Sequence, residues 1–331
     1  MKKVRVEAST KKDRSCEIFG NPMSKKVVRK AQKSKQRNQK KYGDDSKVNY
    51  QCIIRENPCI GEPLGVKNVV VTRKEGKGSF DEEKGVIVGN IRMGFGHYRI
   101  SMAIASAAHA LGYTPYWMDL NSYPETTCTK LISAQNELYS LGSRISQKSK
   151  LFNKFVWEPV NYEGFRQLSY NAADQKNAEL MAPVYHSVPK DIPVIATHVW
   201  PAQAAVHAGM KHVVNAIPDN WPMALHYAQG SLHTVQTHYA YQGYRIGNGM
   251  MKDKVVQAMP PQDLMYTGHY IDHELAANIE KDCEARLSRL KNGEAMRFLL
   301  TVGGAGAQME IFGEVLHYLI PYVIAGKAVV Y

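Results

Sequence analysis

One stretch, Gly85 to Leu111 (GVIVGNIRMGFGHYRISMAIASAAHAL), limits the folds open to this chain more than any other. Val86, Ile87 and Val88 are an apolar, β-branched run suited to a buried strand, and from Ile100 the pattern becomes a small-residue helix. Arg92-Met93-Gly94-Phe95-Gly96-His97 lies between them, so two glycines allow a tight turn off the strand end. The helix that follows aims free N–H groups and its positive dipole end back at that turn, where an anionic or polar group is welcome. His97 stands at the mouth of the turn and is the nearby residue able to exchange a proton near neutral pH, which makes it the first candidate for chemistry.

Gly112 ends the helix and Tyr113 to Leu120 (YTPYWMDL) reads as a second strand closing on Asp119. Strand, glycine turn, helix and strand make a βαβ unit, which predicts a parallel sheet with right-handed crossovers. A long helical region follows, Thr127 to about Leu180. Further strands are expected at Pro193 to Thr197, His212 to Ile217, Ser231 to Gln236 and Asp263 to Thr267. Ligands of open α/β sheets collect at the carboxyl ends of strands, so His198 and Asp219, each just past a strand, are expected at the same edge as His97. Each also has a plain structural reading, His198 as a capping or core-edge residue and Asp219 as a turn residue. After a charged helix, Glu274 to Asn292, the opening device recurs. Arg297 to Val302 is an apolar strand, followed by Gly303-Gly304-Ala305-Gly306-Ala307-Gln308, a helix from Met309 and a strand at Ala328 to Tyr331.

The formal charge of +12 is localised: residues 1–50 hold 16 Lys and Arg against 5 acids, whereas residues 85–331 hold 20 against 19. Lys25 to Lys41 contains nine basic residues and no acid, which predicts a disordered segment or a solvated helix, either an unstructured extension or a binder of anionic lipid headgroups or RNA; nucleic acid is not an expected partner of the rest of the chain. Five scattered cysteines without a C-x-x-C pair argue against a disulfide framework or zinc site and for a reducing, cytoplasmic setting, and no run of apolar residues is long enough to span a bilayer. In the long helical region, Arg144, Lys148, Lys150 and Lys154 accompany Phe152, Phe155 and Trp157. That combination suits either an interfacial helix on anionic lipid or an ordinary amphipathic core helix.

Gly94-Phe95-Gly96-His97, the strand end at Asp119, Asp219, Thr267-Gly268 and the Gly303 to Ala307 turn together resemble one branch of the GT-B glycosyltransferases. That branch comprises diacylglycerol glucosyltransferases, monogalactosyldiacylglycerol synthases and the lipid-linked N-acetylglucosamine transferase of peptidoglycan synthesis. The resemblance runs from about Gly85 to Tyr331. It implies an α/β, GT-B-like fold with a complete N-terminal Rossmann-like domain (85–270), a linking helix (271–295) and the first part of a second such domain (296–331), preceded by the tail (1–50) and a linker with one possible strand (51–84). It further implies transfer of a sugar from a UDP-sugar to a lipid or lipid-linked hydroxyl, with inversion, no metal and no cofactor besides that co-substrate, at the inner face of a membrane. His97 would be the base, with Gly94, Gly96, Arg99, His198 and Asp219 around the first turn and acceptor. Gly303, Gly304, Ala305, Gly306, Ala307 and Gln308 would cradle the donor phosphates, and the Arg144 to Trp157 segment would approach lipid.

Phe95 stands where that branch commonly has a third glycine, and the branch's second domain continues well past the donor glycines, so a fragment with an incomplete donor site is expected. Two rivals stay open. One is a non-catalytic GT-B-derived binding or scaffold protein. The other is an NAD-type dehydrogenase using Asp119 on a ribose, although Arg99 replaces the third glycine of G-x-G-x-x-G.

Overall fold

The structure, a computed structural model, describes residues 13–331 except 75, 77, 248, 253 and 303–308. The chain divides into two compact units, Met1–Tyr270 and Ile271–Tyr331.

The first unit opens with a small hairpin, β1 (Glu17–Ile18) and β2 (Asn21–Pro22), and helix α1 (Lys25–Tyr42). β3 (Gln51–Glu56), a short α2 (Gly61–Leu64) and β4 (Lys67–Thr72) follow. Then come β5 (Gly85–Asn90), α3 (Phe95–Ala110), β6 (Thr114–Asp119) and α4 (Thr127–Lys148). A single turn, α5 (Lys150–Phe152), leads into two π-helical turns, Asn153–Trp157 and Val160–Gly164. Pro159, which lacks an N–H, sits between them, and a ladder deprived of a donor is where such wide turns arise. The remaining elements are α6 (Leu168–Met181), β7 (Val194–Ala196), α7 (Val199–His207), β8 (Val213–Ala216), β9 (Leu232–Val235), α8 (His238–Ile246) and β10 (Leu264–Tyr266).

Eight strands form one mixed sheet in the order β10-β9-β8-β7-β5-β6-β4-β3, parallel throughout except for the β3–β4 pair. β5 is buried along its whole length, as its Val-Ile-Val run demands. Its side chains alternate: Ile87 joins the large core beneath α4 and α7, and Val88 packs with Ala105 of α3 and Trp117 on the opposite face. Helices therefore cover both faces, which is a doubly wound, Rossmann-like arrangement. From β5 the chain winds outward through β6 on one side and through β7 on the other. The crevice at the carboxyl ends of β5 and β7 is accordingly the topological switch point.

The N-terminal segment is a helix, one of its two expected forms, but a packed one rather than a free, solvated one. α1 lies along α6, with Ala31 buried, Lys35 Nζ 2.5 Å from Glu179 Oε2 and Asn38 donating to Asn177 at 2.9 Å. Lys176 joins the cluster, 2.8 Å from both Asp13 and Glu179. The charge run hid a packing stripe of small and polar residues whose partners are more than a hundred residues away. Residues 51–84 are likewise more than a linker, because β3 and β4 complete one edge of the sheet.

The second unit contains α9 (His273–Ala277), α10 (Ile279–Lys291), β11 (Met296–Phe298), α11 (Met309–Ile324) and β12 (Ala328–Val330). β11 and β12 pair in parallel with Met296 opposite Ala328, so this unit carries a β-α-β arrangement. The expected donor-phosphate loop, Gly303 to Gln308, lies outside the described residues.

Candidate functional site

The switch-point crevice gathers the residues that matter. Gly94 is the N-cap of α3 with φ 86° and ψ 160°, a backbone region open essentially to glycine alone, and no side chain caps the helix. The first N–H groups of α3 thus lack a capping partner. Space around the Gly94 and Gly96 α-carbons is open, with no atom within 4 Å of where a Cβ would stand. The helix begins at Phe95 rather than near Ile100, so His97 is a first-turn helical residue and not a loop residue.

Two contacts hold His97 and a third braces them. Its Nδ1 lies 2.8 Å from the Thr197 carbonyl oxygen, Ser101 Oγ donates to the His97 carbonyl at 2.9 Å, and the same Oγ is 2.8 Å from Thr197 Oγ1. A carbonyl only accepts, so Nδ1 carries the proton. Burial pushes the imidazole below its usual range, against smaller opposing effects of the Thr197 carbonyl and Asp219. A neutral ring with a proton on Nδ1 has its lone pair on Nε2.

His198 meets His97 edge to face, with ring centroids 4.9 Å apart. It caps α7 as well, because Nδ1 accepts from the Trp200 N–H at 3.2 Å, as its plain structural reading expects. Full burial holds it well below the ordinary histidine value, aided by the nearby charges of His97 and His226, and a neutral ring accepting at Nδ1 presents N–H at Nε2. The two imidazoles are held in complementary tautomers, one an acceptor and the other a donor at Nε2.

Asp219 lies in the loop after β8, with its side chain about half exposed (53%), and Oδ2 is 3.0 Å from His226 Nε2. Burial raises its carboxyl, but the hydrogen bond and charge from His226 and the charge of His97 outweigh this and hold it below its ordinary range. His226 Nδ1 is 2.7 Å from the buried Tyr244 hydroxyl, and Asn215 donates to the His226 carbonyl at 2.7 Å. Neither His226 nor Tyr244 stood out in the sequence. They sit in a short 3₁₀ turn and in the last turn of α8, with no motif to mark them.

Arg99 is exposed on α3. Asp119 is engaged: Oδ1 accepts from the Asn121 N–H at 2.9 Å, while Ser122 Oγ and Arg92 Nε are each 2.9 Å from Oδ2. A carboxylate so occupied is poorly placed to take a ribose hydroxyl, which counts against the dinucleotide reading. Among the described residues no group of three His, Cys, Asp or Glu side chains could hold a metal ion.

Beside the crevice, α4 and the π-helical turns form an arm. Arg144, Lys148, Lys150, Lys154 and Phe155 are exposed, whereas Phe152 is half-buried and Trp157 turns inward onto Tyr139 (5.1 Å) and Gly142. Trp157 therefore helps to anchor the arm while staying partly exposed. A cleft of about 730 Å³ lies between Lys154, Trp157, Tyr162 and Trp221, the last two residues beyond Asp219, and the Trp221 Nε1 is buried without a hydrogen-bond partner. No helix among the described residues is long and apolar enough to cross a membrane.

A family profile described as a domain of unknown function, DUF6937, matches residues 17–246, which takes in the whole crevice. The chain belongs to the DUF6937 family. A second profile, also described as a domain of unknown function (DUF6938), matches residues 259–331. The DUF6937 match begins at β1 and includes α1 and β3, so the family's unit contains the N-terminal elements that the charge run concealed. No curated protein and no solved structure matches the chain.

Proposed function

We propose that this DUF6937 protein is a glycosyltransferase of GT-B type that moves a sugar from a UDP-sugar to the hydroxyl of a lipid or lipid-linked acceptor at a membrane surface. The observation that carries this reading is the neutral His97, its Nδ1–H tied to Thr197 and its Nε2 lone pair at the switch point beside an uncapped helix N-terminus. In the proposed step, Nε2 takes the acceptor hydroxyl proton as that oxygen bonds to the anomeric carbon. The bond from that carbon to the UDP oxygen breaks, and inversion follows from attack on the opposite face. A base tuned in this way is worth roughly 10²- to 10⁴-fold in rate. Donor phosphates are assigned to Gly303 to Gln308 on the sequence resemblance, and the exposed cations and Phe155 of the arm are assigned to the lipid surface.

The test pairs calorimetric titration of UDP and UDP-sugars into the full chain with transfer to a diacylglycerol acceptor in mixed vesicles. His97→Ala is expected to lower turnover by about 10²- to 10⁴-fold while UDP affinity stays within about twofold. Unchanged turnover removes His97 from the mechanism, and saturable NAD binding in place of UDP binding overturns the reading.

A further inference from the structure

We infer that the outward face of α1 is an electrostatic docking surface for the anionic headgroups of a phospholipid bilayer. Lys26, Lys30, Lys33, Arg37 and Lys40 recur at alternating spacings of four and three residues, with Arg29 beside them, so they line one side of the helix over about 21 Å. All six are exposed, and none has an acidic partner among the described residues. Lys30, Lys33, Gln36, Arg37 and Lys40 lie side by side on this face with open solvent between them. Like charges three and four residues apart destabilise a helix, by roughly 0.2–0.5 kcal/mol a pair. Here the opposite face holds the row in place: Ala31 is buried and Lys35 is paired with Glu179 on α6. The fold thus presents a rigid row of unneutralised cations, which fits a surface of regularly spaced phosphates.

One further observation sets how α1 would meet the bilayer, and a second selects the bilayer among polyanions. The cationic face carries no large apolar side chain, since Val27 and Val28 turn partly inward, so α1 would adsorb without inserting. The same unit exposes Leu151 (72%) and Phe155 (67%) on the arm among lysines. Exposed apolar side chains set among lysines suit the interface of an anionic bilayer, whereas a nucleic acid backbone offers them nothing to pack on. The choice of occupant rests on the lipid-acceptor reading above, but adsorption is measured without any transfer reaction, so either can fail alone.

The experiment is co-sedimentation of the full chain with phosphatidylcholine vesicles, with and without about 30% phosphatidylglycerol, alongside fluorescence anisotropy on a labelled single-stranded RNA. Adsorption to the anionic vesicles only, weakening steeply with salt, is expected. Single changes Lys30→Gln, Lys33→Gln, Arg37→Gln and Lys40→Gln should each lower the partition about fivefold, and the four together on the order of 10²- to 10³-fold. The single variants keep the test intact if the fourfold variant fails to fold. The proposal is overturned if the single variants bind like the parent, if neutral vesicles bind equally well, or if RNA is bound and vesicles are not.

Discussion

Gly94 and Gly96 stand two residues apart in one turn, yet replacing them should have different consequences. Gly94 needs its positive φ, so Gly94→Ala is expected to cost about 1–3 kcal/mol in urea denaturation through backbone strain alone, since nothing crowds the site. Gly96 is helical with open space around it, so Gly96→Ala should be neutral or stabilising by up to about 1 kcal/mol; any loss of ligand affinity in that variant would report ligand approach rather than folding. A second residue-scale effect concerns Asp174, which burial raises to about 7 against its one hydrogen bond, from Trp200 Nε1 at 3.3 Å. Between about pH 4 and 7 the folded state keeps a proton that the unfolded chain has released, so this group's contribution to stability falls as pH rises through that window. Asp174→Asn should therefore gain on the parent between pH 5 and pH 8, by roughly 1–4 kcal/mol in urea denaturation. His207 and His233, each held down to about 4 by burial, act in the opposite sense below their ordinary range, and comparing the two proteins cancels them. An advantage that does not change with pH would show that Asp174 does not titrate in the fold.

Among the elements, α1 shows most clearly what a sequence conceals. Gly94 to His97 was legible because glycine spacing and a strand pattern agree there, although the small-residue pattern places the helix start about five residues late. α1 was not, because its inward stripe contains Ala31, Lys35 and Asn38, which look like a packing face only once Glu179 and Asn177 are placed opposite. His226 escaped notice for a similar reason, since its meaning comes from Asp219 and Tyr244. The Asp13–Lys176–Glu179–Lys35 cluster should therefore control whether α1 stays docked. Lys176 is only 10% exposed, so Glu179→Gln removes a charge partner from a nearly buried ammonium. The expected cost is about 1–3 kcal/mol, after allowing for the partial exposure of Glu179 and Lys35. Hydrogen exchange should then quicken across Lys25–Tyr42 and leave β5 unchanged; uniform quickening would mean the cluster stabilises the whole unit instead.

At the scale of the molecule, the parallel sheet, its helical layers and the edge that carries the candidate site followed from local patterns repeated along the chain. Pairings between distant segments did not, and β3 is the example: Gln51–Glu56 alternates weakly and ends in charges, and it becomes a strand by lying against β4. The switch point has a consequence in time as well as in space. The His97 ring is fixed by a carbonyl 100 residues further along the chain, on the far side of the β5–β7 pairing. During synthesis, α3 emerges well before the strand that orients its histidine, a delay of about 5–20 s at ordinary elongation rates. Until then His97 lacks the contact that selects its tautomer, so the nascent chain acquires its reactive geometry only after much of the first unit has left the ribosome.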